Sequence, residues 1–219
     1  MAYSGAKEKR VNSTKAGNQS DPEVAALHSG GWVATWSSYG QDGSGYGVYQ
    51  QRYNADGSKA GGETVVPTTT TGPQHHSDIA SLGDGGWVVT WSSRPALDAN
   101  GFEIRMQAYN ADGTKQGTEV QVNATVLNDQ TISNVIGLDT GGWVVVWQSE
   151  NNDGVTDIYQ QRYNSSGAKL GSETVVNTVT VSDQFNPAIA RLDGGGWVVA
   201  WSSYGHAGDA SGIYAQIFN

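Results

Sequence analysis

Apolar positions gather in four short runs that share one pattern. The first is Gly30-Gly31-Trp32-Val33-Ala34-Thr35-Trp36-Ser37-Ser38, and it returns at 85–93, 141–149 and 195–203. The leading Trp of each run falls at 32, 87, 143 and 197, steps of 55, 56 and 54 residues, and a near-constant period of that size marks a repeat protein. From Trp to Trp nearly every position is apolar, which predicts a strand buried on both faces. Gly-Gly opens it and Ser closes it.

Aligned on these runs, each repeat carries four strand-like pieces. The first is residues 7–14, matched by 62–69, 118–125 and 172–179, in which Glu8, Glu63, Glu119 and Glu173 stand four residues before Asn12, Pro67, Asn123 and Asn177. The second is 22–27, matched by 187–192, and a Gly-Gly hairpin leads from it into the Trp strand. The fourth, Val48-Tyr49-Gln50-Gln51-Arg52-Tyr53-Asn54, is echoed at 158–164 and runs into an Asp-Gly turn. No stretch reads as a helix. Four antiparallel strands per repeat predict an all-β fold, a four-bladed β-propeller formed as a single domain over 1–219, with repeats at about 12–66, 67–122, 123–176 and 177–219 plus 1–11. The last repeat lacks the Glu-x-x-x-Asn piece and the chain starts with it. The expectation is therefore a ring closed by pairing 8–12 with 213–219; the alternative is two chains exchanging strands as a homo-dimer.

Charge narrows the partners. Twelve Lys and Arg stand against 21 Asp and Glu, a formal charge of −9, with no basic stripe to meet phosphates. Nucleic acid and anionic membranes are excluded as expected partners. Cysteine is absent, and residues 1–10 have no apolar core of signal-peptide length. The expectation is a soluble protein, secreted or at the cell surface without a leader, with the cytoplasm left open and no membrane insertion.

In the predicted blade the short hairpins share one rim, and the long, divergent loops at 39–47, 94–103, 150–157 and 204–212 share the other, where function is expected. Near that rim lie the second Trp of each run, Trp36, Trp91, Trp147 and Trp201. Inter-blade packing and a stacking platform for a sugar are both open for these rings. Gln19, Gln74, Gln130 and Gln184 each stand thirteen residues before the leading Trp, and either latch their loops or meet sugar hydroxyls. A second recurring set, Gln51, Gln107, Gln161 and Gln216, lies in the fourth piece and reads as structural. Tyr49, Tyr159 and Tyr214 complete the candidate carbohydrate site, with Asp42 and, in copies one and three, Arg52 and Arg162.

Signs of catalysis are thin. His28, His75, His76 and His206 occupy unrelated repeat positions, there is no Gly-x-Ser-x-Gly elbow, and no two acids single themselves out as a glycosidase pair. The loop acids Asp42, Asp98, Glu103, Asp153, Asp157 and Asp209 differ in spacing, so solvated turns are preferred over calcium ligands. No cofactor is expected; calcium is kept as the alternative.

The repeat (Pro)-x-(Ile/Val)-Ala-x-Leu-x-x-Gly-Gly-Trp-Val-Val-x-Trp-Ser-Ser, followed by (Ile/Val)-Tyr-x-Gln-Arg-Tyr-Asn, resembles tandem repeats of large secreted bacterial adhesins of the calcium-binding kind. In architecture it is similar to bacterial and invertebrate β-propeller lectins. The repeat match covers nearly the whole chain, and the resemblance implies multivalent glycan binding. It departs in copy two, where Arg105 replaces Tyr49 and Ser77 replaces Pro22. The function expected is thus a non-enzymatic lectin, with an adhesive or structural module, bound to calcium or not, as the alternative.

Overall fold

A computed structural model describes residues 8–95, 101–139, 141–205 and 210–219. Among them are fifteen strands in four antiparallel sheets, and no helix. The first sheet is β1 (Gln19–Ala26), β2 (Trp32–Tyr39), β3 (Tyr46–Tyr53) and β4 (Thr64–Val65). The second is β5 (Gln74–Ser81), β6 (Trp87–Ser93), β7 (Glu103–Tyr109) and β8 (Lys115–Gln121). The third is β9 (Gln130–Gly137), β10 (Trp143–Glu150), β11 (Thr156–Tyr163) and β12 (Lys169–Val175). The fourth has three strands, β13 (Gln184–Arg191), β14 (Trp197–Tyr204) and β15 (Ser211–Phe218). Each sheet keeps chain order from inner to outer strand, as the repeat alignment predicts.

Tight turns follow from the sequence. The first glycine of each Gly-Gly pair adopts a positive φ, for example 88° at Gly30 and Gly85. The second lies so close to the end of the third strand that a Cβ would strike the carbonyl of Tyr53, Tyr109, Tyr163 or Phe218. Only glycine fits at that approach.

Packing between sheets uses the Trp pairs. Trp87 and Trp91 lie against Val33, Val48 and Val66 of the sheet before. Trp143 and Trp147 lie against Val88, Ile104, Met106 and Val122, and Trp197 and Trp201 against Val144, Val146, Ile158 and Val176. The apolar residue three places after each Glu of the outer strand (Val66, Val122 or Val176) therefore always completes the wall that the next Trp pair covers.

β1 packs beside β5, β5 beside β9 and β9 beside β13, but no comparable contact joins β13 to β1 among the described residues. The expected pairing of 8–12 with 213–219 is not formed: residues 8–14 form no strand, and among the described residues no strand pairs with the outer edge of β15. What is observed is an arc of four blade-like sheets, not the closed ring. The first and fourth sheets do not meet among the described residues, so the strand that would close the ring lies at the other end of the arc. There, Val11 packs with Trp36, Tyr53 donates its hydroxyl to the Val11 carbonyl at 3.2 Å, and the Ser13 N–H bonds to Glu63, so residues 11–14 lie on the first sheet, which is not packed against β13 among the described residues.

Candidate functional site

The inner strands share a bulge that sets the site. Asp21, His76, Ile132 and Asn186 occupy one equivalent position, all with φ between 51° and 53°. Such a conformation is strained for a side-chain-bearing residue, most of all for the β-branched Ile132. Its recurrence in four sheets makes it part of the design. Past the bulge the register resumes with Glu23 opposite Thr35, Asp78 opposite Thr90, Asn134 opposite Val146 and Ala188 opposite Ala200. Neighbouring inner strands thus carry two carboxylates, an amide and a methyl at one level.

Asp78 reaches across to the next sheet. One carboxylate oxygen accepts the Val135 N–H at 2.7 Å and the other the Ile79 N–H at 2.8 Å. Asn134 does the same one sheet on, donating to the Pro187 carbonyl at 2.9 Å. Glu23 is exposed. Burial first, and the Glu23 charge in the same direction, push the Asp78 carboxyl up to about 6, against the pull of its two backbone donors. A carboxyl that exchanges its proton near neutral pH, beside a second carboxylate, can serve as a general acid.

On the loop side of this pair, Ser20, Asp21, Tyr46, His75 and His76 enclose a pocket of about 210 Å³. The His75 and His76 rings approach with Nδ1 atoms 2.9 Å apart, and His75 also packs on Phe102 at 4.8 Å. Burial first, then the His76 charge, hold the His75 imidazole down to about 4. On the hairpin side a cavity of about 790 Å³ runs among the inner strands, walled by small apolar residues such as Ala25, Ala80 and Val135. The Arg191–Asp139 ion pair, at 2.6 Å, lines it. Pocket, carboxylate pair and cavity lie along the same inner strands.

The structure places the sequence-predicted site residues elsewhere, and mostly in packing. Trp36, Trp91, Trp147 and Trp201 are 4, 0, 1 and 6 % exposed, so no ring face is open to a sugar; packing between sheets has taken Trp91, Trp147 and Trp201, and Trp36 is covered by Val11 and by Ala34 and Tyr49 of its own sheet. Gln19, Gln74, Gln130 and Gln184 donate their amides to backbone carbonyls of their own loops, as to Gly17, Gly72, Asn128 and Ser182, and Gln184 also accepts the Trp201 indole N–H. They latch loops. Tyr49 is buried beside Trp36, Tyr159 stacks on Trp147 and Tyr214 packs on the Trp197–Trp201 cluster. Arg52 donates to the Ala111 carbonyl at 2.9 Å and Arg162 lies 5.1 Å from the Trp197 ring centre, so both pin their sheet to the next. Asp42 accepts the Ser44 N–H within its own turn. The calcium candidates Asp98 and Asp209, and His206, lie outside the described residues. Among those described, no group of three or more His, Asp or Glu is arranged to hold a metal ion.

Sequence reasoning missed Glu23 and Asp78. The signal was available: Glu23 and Asp78 each stand nine residues before the leading Trp of their copy, where copies three and four carry Asn134 and Ala188. It also missed Gln50 and Gln160, whose carbonyls accept the indole N–H of Trp87 and Trp197 at 3.0 and 2.9 Å.

No family model matches the chain, and no curated protein does so significantly. Solved structures do. A Hadza microbial sialidase aligns at a TM-score of 0.63 and 10% identity, covering 90% of this chain and 44% of its own. A Penicillium chrysogenum alpha-L-arabinanase complexed with arabinobiose aligns at 0.59 and 14%, covering 90% and 62%. An alpha-L-arabinofuranosidase from Lactobacillus brevis aligns at 0.53 and 10%, covering 92% and 72%. The chain thus spans less than half of the sialidase and under two thirds of the arabinanase. At these identities the likeness shows the fold, which is that of a β-propeller. The expectation of a non-enzymatic lectin is corrected as well: the neighbours named are a sialidase, an arabinanase and an arabinofuranosidase, not lectins, and the expectation of no catalysis is corrected with it.

Proposed function

We propose that this chain is the propeller of a carbohydrate-active protein that cleaves glycosidic bonds where β1 and β5 meet. One observation carries the reading: Glu23 and Asp78 stand at the same register position on neighbouring inner strands, with the Asp78 carboxyl raised to about 6. Asp78 donates its proton to the leaving-group oxygen. Glu23, exposed beside it, supplies the second carboxylate, acting on water as a base or on the anomeric carbon as a nucleophile. The flanking Asp21 and His76 offer acceptors and donors for sugar hydroxyls. The sialidase, arabinanase and arabinofuranosidase folds support the substrate class, a glycan or oligosaccharide.

The test is release of reducing ends from arabinan, and of aglycone from aryl arabinofuranosides and aryl sialosides. Glu23→Gln and Asp78→Asn should each cut turnover by about 10²-fold or more with melting temperature retained. A folded wild-type protein inactive on the whole panel overturns the reading.

A further inference from the structure

In the first three sheets the outer strand ends in the same way. The N–H of Val66, Val122 and Val176 donates to the carbonyl of Val48, Ile104 and Ile158, at 2.9, 2.8 and 2.7 Å. The side-chain carbonyls of Asn123 and Asn177 accept the N–H of Ile104 and Ile158, both at 2.8 Å. Val48, Ile104 and Ile158 are fully buried as a result.

The two ends of the arc each hold half of this joint. At one end, Val11 is the repeat equivalent of Val66, and it already packs in the cluster of Ala34, Trp36 and Tyr49. Asn12 donates to the Thr14 carbonyl and to Gln19 at 2.6 and 2.7 Å, matching Asn123 with Thr125 and Gln130 at 2.5 and 2.9 Å. Glu63 bonds to the Ser13 N–H just as Glu119 bonds to Thr68 and Glu173 to Ala124. Residues 11–14 therefore have the geometry of an outer-strand end, and among the described residues no third strand pairs with them. At the other end, Ile213 pairs with Ser202 as Val48 pairs with Ser37, and it is the equivalent of Ile104 and Ile158. It is 77% exposed, with Ile217 at 63%.

We propose that the outer edge of β15 is covered by residues 8–14 of a second copy of this chain, in a head-to-tail contact. The Val11 N–H then donates to the Ile213 carbonyl, Asn12 accepts the Ile213 N–H, and Ile213 and Ile217 turn onto the Trp32–Trp36 face of that copy. The occupant is a second copy and not the chain's own segment, because residues 8–12 and 213–219 do not pair with each other and β13 and β1 are not packed together among the described residues. The contact joins different surfaces of the two copies, so it is heterologous, and strand addition at a bare edge supplies its backbone bonds.

Sedimentation velocity across the micromolar range tests this with three proteins. Wild type should gain mass with concentration. Val11→Asp spoils the donor end, and Ile213→Lys with Ile217→Lys spoils the acceptor edge; each alone should stay monomeric. Their equimolar mixture should form dimers and nothing larger, since one intact end of each kind remains. The milder Asn12→Ala, which removes a single bond to the edge, should weaken wild-type association about tenfold and guards against a folding defect in the stronger variants. A wild type that stays monomeric overturns the proposal, and protection of the 213–217 amides from exchange in that monomer would assign the edge to its own chain. A mixture that stays monomeric while wild type associates also overturns it.

Discussion

Replacing His75 with Phe should make the folded protein lose stability as the pH rises from about 4 to about 6, which the wild type hardly does. His75 has its imidazole held down to about 4 from an ordinary 6.5 by burial and then by His76. Its contribution is fully present above 6.5 and is lost as the pH falls toward 4, and at 1.36 kcal/mol per pKa unit it is worth at most about 3 kcal/mol, less what solvent screens at this partly exposed ring. Asp78 runs the other way. Its carboxyl is raised to about 6 from 3.8, so its contribution is present below 3.8 and lost as the pH rises through 6, again about 3 kcal/mol. In the shared window the two slopes oppose one another and nearly cancel. His75→Phe removes the rising slope and exposes the falling one; Asp78→Asn does the reverse. Both substitutions have precedents within the chain, since Phe185 stands at the position of His75 and Asn134 at that of Asp78. Urea unfolding at intervals from pH 4 to 7 reads the free energy directly. If both variants keep the wild-type pH dependence, the assigned protonation behaviour of the inner strands is wrong.

Two further outcomes follow from the packing. Trp91→Ala should cost about 3–5 kcal/mol in chemical unfolding, because the ring is fully buried between the first two sheets. Gln50→Met should cost about 1 kcal/mol by removing the acceptor of the Trp87 indole; Met106 already stands at the equivalent position, and the Trp143 indole N–H has no partner there.

How much of this was legible in the sequence depends on the kind of signal. The Trp runs, the Gly-Gly hairpins and the strand order follow from local pattern, because a doubly buried strand and a tight turn each demand particular residues. The fate of the second Trp is not local. Trp36 and Trp91 would read identically whether their rings faced a sugar or the neighbouring sheet, and only the sheet-to-sheet distance decides. The same holds for Arg52 and Arg162, whose partners lie in the following repeat. Closure of the ring was inferred from the order of the pieces, and order does not fix the angle between sheets; residues 11–14 fold as an outer-strand end but sit at the far end of the arc from β15. Glu23 and Asp78 share a repeat position, but copies three and four carry Asn134 and Ala188 there, so the position does not recur as an acid, and the burial that raises the Asp78 carboxyl depends on the neighbouring sheet.

The central claim is that a glycan is handled between β1 and β5, and locating a bound sugar tests it most directly. A crystal of Glu23→Gln grown with an arabino-oligosaccharide should show the sugar between Asp21 and His76 with a glycosidic oxygen within hydrogen-bond reach of Asp78. Sugar found instead in the 790 Å³ cavity beside the Arg191–Asp139 pair, or on the outer faces of the sheets, would contradict the account.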